Sequence, residues 1–334
     1  MQTAARPAAG TRARHGARLP EPASAPRAEA SSRGVVTPCL EPLVRERIPR
    51  RRRRFDDDDD PRPGPRPRPD PGDDHDGPPE GDRWSSYPDA THGPDPVPPW
   101  VVTDPSATDT ELGVLRSGKE ADVHLVERAL PGGPGCLLAA KRYRSAEHRM
   151  FHRDASYLEG RRVRSSRETR AMANRTSFGR ELLAGQWAAA EFAALARLSA
   201  AGIAVPYPVQ LRGTELLLEF LGSPDGTAAP RLAQLRPAPA ELAGLWDQLV
   251  EALVGLARSG WTHGDLSAYN VLVDDGRVVL IDLPQVVDLV GNPHGAEVLV
   301  RDVRRITDWF LARGFPADAE GLFHRLVAEA GLDA

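Results

Sequence analysis

The sequence predicts an α+β body of two lobes behind a long low-complexity arm. Three observations carry this expectation. Short β-patterned runs come first in the ordered part of the chain and amphipathic helices come last, the order that marks α+β architecture. The first 100 residues hold 20 of the 32 prolines, with 17 arginines against 17 acids and only scattered apolar side chains. Such a stretch cannot bury enough surface to offset its ordering entropy. The 334-residue length would allow two domains, on a prior of roughly 100 to 200 residues each. Only the part beyond about Pro99 has core-forming patterns. The expected organisation is a disordered arm over residues 1–99 and one folded domain over residues 100–334. The domain's lobes span about 110–221 and about 222–334.

The elements follow in order. The arm carries the arginine run Arg50 to Arg54, the aspartate run Asp56 to Asp60 and a Pro-Arg alternation from Pro61 to Pro69; it reads as solvated and extended. Strands are expected at Leu112 to Leu115, Asp122 to Glu127 and Cys136 to Tyr143. Turn-prone Arg116-Ser117-Gly118 and Pro131 to Gly135 separate them, giving an antiparallel meander. An arginine-rich stretch from Arg144 to Arg180 precedes a helix on which Leu183, Trp187, Leu195 and Leu198 share a face. Val209 to Leu211 and Glu215 to Phe220 read as two more strands. Leu242, Leu245, Leu249, Leu253 and Leu256 then mark a strong amphipathic helix. A hairpin, Val271 to Val273 and Val278 to Ile281, turns at Asp274-Asp275-Gly276. Helices near Glu297 to Arg313 and Ala317 to Ala330 close the chain.

Composition excludes several classes. Beyond the arm, 26 basic face 30 acidic groups, which gives no support to a dedicated DNA-binding module. Cys39 and Cys136 are the only cysteines, too few for a disulfide framework or a zinc site, and a reducing cytoplasmic setting is expected. No apolar run reaches the roughly 18 to 20 residues of a membrane span. Among 43 basic residues only Lys119 and Lys141 are lysines. A compact ammonium against phosphate oxygens is one task for which arginine is a poor replacement.

The segment His263 to Gln285, HGDLSAYNVLVDDGRVVLIDLPQ, carries the chemistry. A two-residue turn at Asp275-Gly276 pairs Val273 with Val278, Val271 with Leu280 and Asn270 with Ile281. Asn270 and Asp282 then emerge side by side, an amide and a carboxylate of the kind Mg²⁺ prefers. Asp265, five residues before Asn270, is placed to orient an attacking hydroxyl or accept its proton. His263 is expected to anchor the loop. In the first hairpin, Ser117 and Gly118 allow a tight turn whose amides can approach phosphate, with the charge of Lys119 nearby. Glu191 lies four residues from both Trp187 and Leu195, on the apolar stripe itself. A buried carboxylate needs a partner, and Lys141 is the candidate; protein kinases use such a pair to steer ammonium to phosphates.

The ordered motifs SGKEADV, AAKRY, QWAAAEFAAL, GIAVPYP, LLLEFLG, HGDLSAYN and IDLPQ resemble the RIO atypical protein kinases, closest to the first, bacterial-type RIO subfamily. The resemblance runs from about Leu112 to Gly314 and implies a two-lobed kinase-like fold with a truncated C-lobe. It implies Lys141 and Glu191 as ion pair and the backbone from Glu219 to Leu221 as adenine hinge. Asp265 would be the catalytic aspartate, and Asn270 and Asp282 the metal ligands. In that family the position of Asp282 is also a suspected site of aspartyl-phosphate formation, and YLEGRRVR resembles the flexible loop. The sequence departs from ordinary kinases in lacking G-x-G-x-x-G, in having Asp282-Leu283-Pro284 for D-F-G, and in lacking A-P-E. The arm cannot supply the winged helix of the second RIO subfamily.

The expected activity is ATP- and Mg²⁺-dependent phosphorylation of protein serine or threonine, including autophosphorylation, with Mn²⁺ as an alternative ion and an ATPase switch as a variant. Two further readings stay open: a small-molecule phosphotransferase of the aminoglycoside or choline kinase kind, and an ATP-gated module for ribosome or RNA assembly. Expected partners are ATP, a protein substrate or the chain itself, and a ribosome-associated protein.

Overall fold

A computed structural model of the chain describes residues 78, 80–144 and 177–332. Most of the arm and most of the arginine-rich stretch lie outside the described residues. Seven antiparallel strands form the first lobe: β1 (Arg83–Trp84), β2 (Thr91–His92), β3 (Thr108–Ser117), β4 (Ala121–Ala129), β5 (Gly135–Tyr143), β6 (Pro208–Arg212) and β7 (Glu215–Glu219), in the order β1-β3-β4-β5-β7-β6-β2. The meander β3-β4-β5 is as the sequence predicts.

Helix α1 (Ser177–Ala200) covers one face of this sheet. The period of two along each strand divides the side chains between faces. On β7, Leu216 and Leu218 join α1 residues Phe192, Leu195 and Leu198, whereas Leu217 joins the opposite cluster with Leu138 and Ala140. Lys141 and Tyr143, on the alternate positions of β5, therefore point toward α1.

The opposite face corrects the expected domain boundary. Tyr87, Val101, Val102 and Ala107 are buried against it, and β1 and β2 hydrogen-bond to β3 and β6. The folded domain therefore begins upstream of Pro99. The proline density that suggested an arm continues through Pro88 and Pro94 to Pro99, but here alternates with the aromatic and β-branched residues that cover the sheet. At the centre of this layer Arg128, fully buried, donates to Asp109 at 2.7 and 3.1 Å and to Gln210 at 2.9 Å. Gln210 donates in turn to Ser86 Oγ at 2.8 Å, and the Arg128 guanidinium lies 5.9 Å from the Tyr87 ring centroid.

The second lobe is built on α2 (Pro239–Arg258), whose five predicted leucines are all buried. Pro239 opens it and Glu241 accepts from the Ala238 N–H at 2.7 Å, a first-turn arrangement that satisfies an orphan donor. After β8 (Trp261–Thr262) comes the hairpin β9 (Val271–Asp274) and β10 (Arg277–Leu280), paired in the predicted register. Asp275 and Gly276 have φ of 47° and 77°, the left-handed pair a two-residue hairpin turn requires. Strand β11 (Val287–Asp288) pairs with β8, and α3 (Gly295–Leu311) and α4 (Ala319–Glu329) close the core around Leu299, Val303, Ile306, Phe310, Leu322 and Leu326.

One outcome tests the buried Arg128 layer and another the corrected boundary. Asp109→Ala leaves a buried guanidinium without its main partner and should cost about 3 to 5 kcal/mol, read from denaturant unfolding. Deleting residues 1–99 removes β1, β2 and Tyr87, so the melting temperature should fall clearly below that of the full chain. An unchanged value would restore the boundary at Pro99.

Candidate active site

Between the lobes, Lys141 Nζ lies 2.7 Å from Glu191 Oε1 and 2.7 Å from Asp282 Oδ1. Glu191 is 1% exposed, yet it is fully served: Lys141 and the Tyr143 hydroxyl donate to its two oxygens and the Leu283 N–H adds a third bond at 3.3 Å. Burial acts to lower the Lys141 ammonium, but the Glu191 and Asp282 charges outweigh it and raise its affinity for the proton. Burial, with Glu191 beside it, pushes the Tyr143 phenol well above its ordinary value. The enclosing protein acts to raise the Asp282 carboxyl, and Lys141 outweighs this by charge and hydrogen bond, holding it below the usual carboxylate range.

Asp282 has φ of 67°, a left-handed conformation uncommon outside glycine and tolerated best by Asp and Asn. It follows directly on the β9-β10 hairpin, where Ile281 N–H donates to the Asn270 carbonyl at 3.0 Å. The predicted juxtaposition of Asn270 with the end of β10 is thus present. Asn270 Nδ2 donates to the Asp265 carbonyl at 2.9 Å, which leaves its amide oxygen as the atom suited to a hard cation.

The loop bearing Asp265 hangs from two buried groups. His263 is fully buried; its Nε2 lies 3.1 Å from the Ile281 carbonyl and its Nδ1 3.4 Å from the Asp265 N–H. This is the anchoring role expected of it. Asp302, on α3 and 1% exposed, accepts from Gly264 N–H at 2.7 Å, Leu266 N–H at 3.2 Å and Thr262 Oγ1 at 3.1 Å. Gly264 has φ of 85°, and a Cβ there would collide with the Gln285 carbonyl, so only glycine fits. Asp265 Oδ1 in turn meets Arg305 Nη1 at 2.8 Å.

The remaining predicted residues are placed less directly. Gly118 N–H is spent on the Ala121 carbonyl at 2.9 Å, so that amide does not face phosphate as expected. Tight closure of a two-strand turn took the donor. Ser117 interacts with Asp122, and Lys119 is exposed at the tip. At the lobe junction, the Leu221 carbonyl accepts from Ala229 N–H at 2.9 Å. Glu219 donates its backbone N–H to the Tyr207 carbonyl at 2.9 Å, its side chain accepts from the Tyr207 N–H at 3.0 Å, and burial raises its carboxyl.

Four residues escaped the sequence reading. Tyr143 sits two positions beyond Lys141 on the same strand face. Asp302 occupies the apolar stripe between Leu299 and Ile306, the very signal that revealed Glu191. Arg231 bonds the Tyr269 carbonyl; burial and nearby Arg116 lower its hold on the proton while Asp282 acts against them. Nothing in the local pattern marks it or Arg305.

A strand lysine paired with a helix glutamate, facing a hairpin carboxylate and a loop aspartate across two lobes, defines the class of protein-kinase-like phosphotransferases. A family model for the RIO domain matches residues 138–321. The chain is 35% identical over 222 residues to the RIO-type serine/threonine-protein kinase Rio1 of Haloferax volcanii, covering 66% of this chain and 70% of that protein. It is 28% identical over 227 residues to the serine/threonine-protein kinase RIO1 of Chaetomium thermophilum, covering 65% of this chain but 42% of that one. A crystal structure of the Rio2 kinase from Chaetomium thermophilum overlays with a TM-score of 0.45 at 24% identity, covering 66% of this chain and 67% of the other. The chain belongs to the RIO domain family. Its enzyme class is that of the RIO-type serine/threonine kinases, and the small-molecule phosphotransferase reading is not favoured.

Asp302→Ala strands two backbone N–H groups and a hydroxyl in the interior. It should cost about 3 kcal/mol or more, by the desolvation of each unsatisfied donor. Activity should fall further than nucleotide affinity, since Asp265 hangs on this loop; titrating nucleotide binding alongside turnover separates the two.

Proposed function

We propose that the cleft transfers the γ-phosphoryl group of ATP to a serine or threonine hydroxyl of a protein, the chain itself included. The observation that carries this is the bond from Lys141 Nζ to both Glu191 and Asp282 at 2.7 Å. It holds an ammonium at the mouth of a buried carboxylate, where nucleotide phosphates would rest. Glu191 fixes Lys141, which orients the α- and β-phosphates; the Leu221 N–H and the Glu219 carbonyl serve the adenine edge. Asn270 and Asp282 offer only oxygen donors, a set that suits Mg²⁺, with Mn²⁺ the second ion to try. The bound ion would neutralise charge on the transferring phosphoryl group. Asp265 orients the acceptor hydroxyl and receives its proton as the oxygen–phosphorus bond forms and ADP leaves with the broken bond's electron pair. Ser117 and Lys119 close the phosphate side as charge and cover.

The composition, with two cysteines in 334 residues, supports a reducing, cytoplasmic setting, and no helix among the described residues is long and apolar enough to cross a membrane. An ATP-gated role on a ribosome-associated partner would use this same site, and only the fate of the phosphoryl group separates it from a kinase.

With γ-labelled ATP and Mg²⁺, label should reach protein rather than water or a small molecule. Lys141→Ala and Asp265→Ala should each lower transfer by about a hundredfold or more; Asp265→Ala should melt near the parent, whereas Lys141→Ala also strips buried Glu191 of its charge partner and should melt lower while keeping the parent's circular dichroism. Near-parental rates in either would remove the kinase assignment. Labelled protein should keep its label in hydroxylamine, which cleaves an acyl phosphate but not a serine ester. Loss of label mapped to Asp282 would instead favour the ATPase switch.

A further inference from the structure

The acceptor side of the cleft is lined with cations from one helix. Arg305, 43% exposed, reaches Asp265 Oδ1 at 2.8 Å. One turn earlier, Arg301 bonds the Gly264 carbonyl and is 46% exposed. Arg304 also faces solvent. Of the acids of α3, Asp302 meets this rim at its inner edge, with Oδ1 3.9 Å from Arg301 Nη2. Asp302 is buried and turned toward the loop, Glu297 lies 3.3 Å from His294, and Asp308 is exposed past the last of the arginines.

A half-exposed ion pair of this kind contributes little to stability, so fold maintenance is a weak reason for Arg305 to stand on Asp265. Its position does have a consequence for substrate. A guanidinium carries five N–H donors in a fixed fork, and the bond to Asp265 uses one of them. The side chains flanking an acceptor hydroxyl aimed at Asp265 must pass the others.

We propose that Arg305, with Arg301 beside it, selects acceptor hydroxyls flanked by carboxylates, making the substrate an acidic protein segment. The proposal rests on Asp265 as the residue that orients the acceptor. A flanking Asp or Glu gives the Arg305 fork a second carboxylate, draws it outward and opens a lone-pair direction on Asp265 to the hydroxyl. A flanking Lys or Arg meets like charge and is repelled. Arg305 is a positioning residue: the bond changes stay between the hydroxyl oxygen, phosphorus and ADP, and the hydroxyl proton still goes to Asp265. A nucleic acid would meet the same cations, but the excess of acids over bases beyond the arm argues against a broad polyanion surface.

The test uses the full chain with ATP and Mg²⁺ and two serine peptides, one flanked by Glu and Asp, the other by Lys. At low salt the acidic peptide should have a kcat/KM about tenfold higher or more, expressed in KM. The preference should shrink as the screening length falls from about 30 Å at 0.01 M to about 3 Å at 1 M ionic strength. Arg305→Gln should raise KM for the acidic peptide and flatten the preference, and Arg305→Lys should restore part of it. Melting curves for both variants verify folding. Equal kcat/KM for the two peptides in the parent, or a preference that survives in Arg305→Gln and Arg301→Gln alike, would sink the proposal and leave the kinase assignment standing. Hydrolysis of ATP with neither peptide labelled would take down both. Competition by polyuridylate RNA that Arg305→Gln abolishes would overturn the proposal in favour of a nucleic-acid site.

Discussion

Glu191 is 1% exposed, and the donors that make this tolerable come from separate parts of the chain. Lys141 and Tyr143 reach it from β5, and the Leu283 backbone reaches it from beyond the β9-β10 hairpin. A buried carboxylate deprived of such partners is strongly unfavourable, so the first lobe, α1 and the segment after Asp282 are bound to one another through a single side chain. Lys141 then extends the link to Asp282. The geometry of this side of the cleft follows: an ammonium bonded to two carboxylates at 2.7 Å has little freedom left.

The acceptor side is organised by a second buried acid. Asp302 gathers the N–H groups of Gly264 and Leu266, and His263 ties the same loop to the Ile281 carbonyl. Because Ile281 also closes the hairpin onto Asn270, and Asn270 bonds the Asp265 carbonyl, the loop bearing Asp265 and the strand ends bearing Asn270 and Asp282 share one hydrogen-bonded framework. Both halves of the site thus use one device, a carboxylate on the apolar face of a helix, satisfied by groups that must be held still.

Much of this was legible because the signals are local. The hairpin register followed from Asp275-Gly276 alone, since a two-residue left-handed turn leaves one pairing. Glu191 was found because charge on an apolar stripe demands a partner. The same reasoning applied to Leu299, Asp302 and Ile306 would have found the second anchor. Other features were hidden for physical reasons. Composition cannot tell a proline-rich arm from a proline-rich cover, because only tertiary burial of Tyr87 and Val101 distinguishes them. The Gly118 amide could not be known to be spent inside its own turn. Arg231 and Arg305 act across the fold, without any periodicity to announce them.

These misses bear on how the site divides its labour. An ordinary glycine-rich loop offers several backbone amides to phosphate, whereas here the Gly118 amide closes the β3-β4 turn. Positive charge near the nucleotide must then come from side chains, and they stand where the fold fixes them: Lys141 by Glu191, and Arg231 by the Tyr269 carbonyl. Arg231 lies within the fields of both Asp282 and Arg116, so charge from the first lobe's turn and from the second lobe meets near the same carboxylate. The cations of α3 lie against the loop at Gly264 and Asp265. The cations of the cleft thus fall into two sets, one bonded to Asp282 through Lys141 and the other to Asp265 through Arg305.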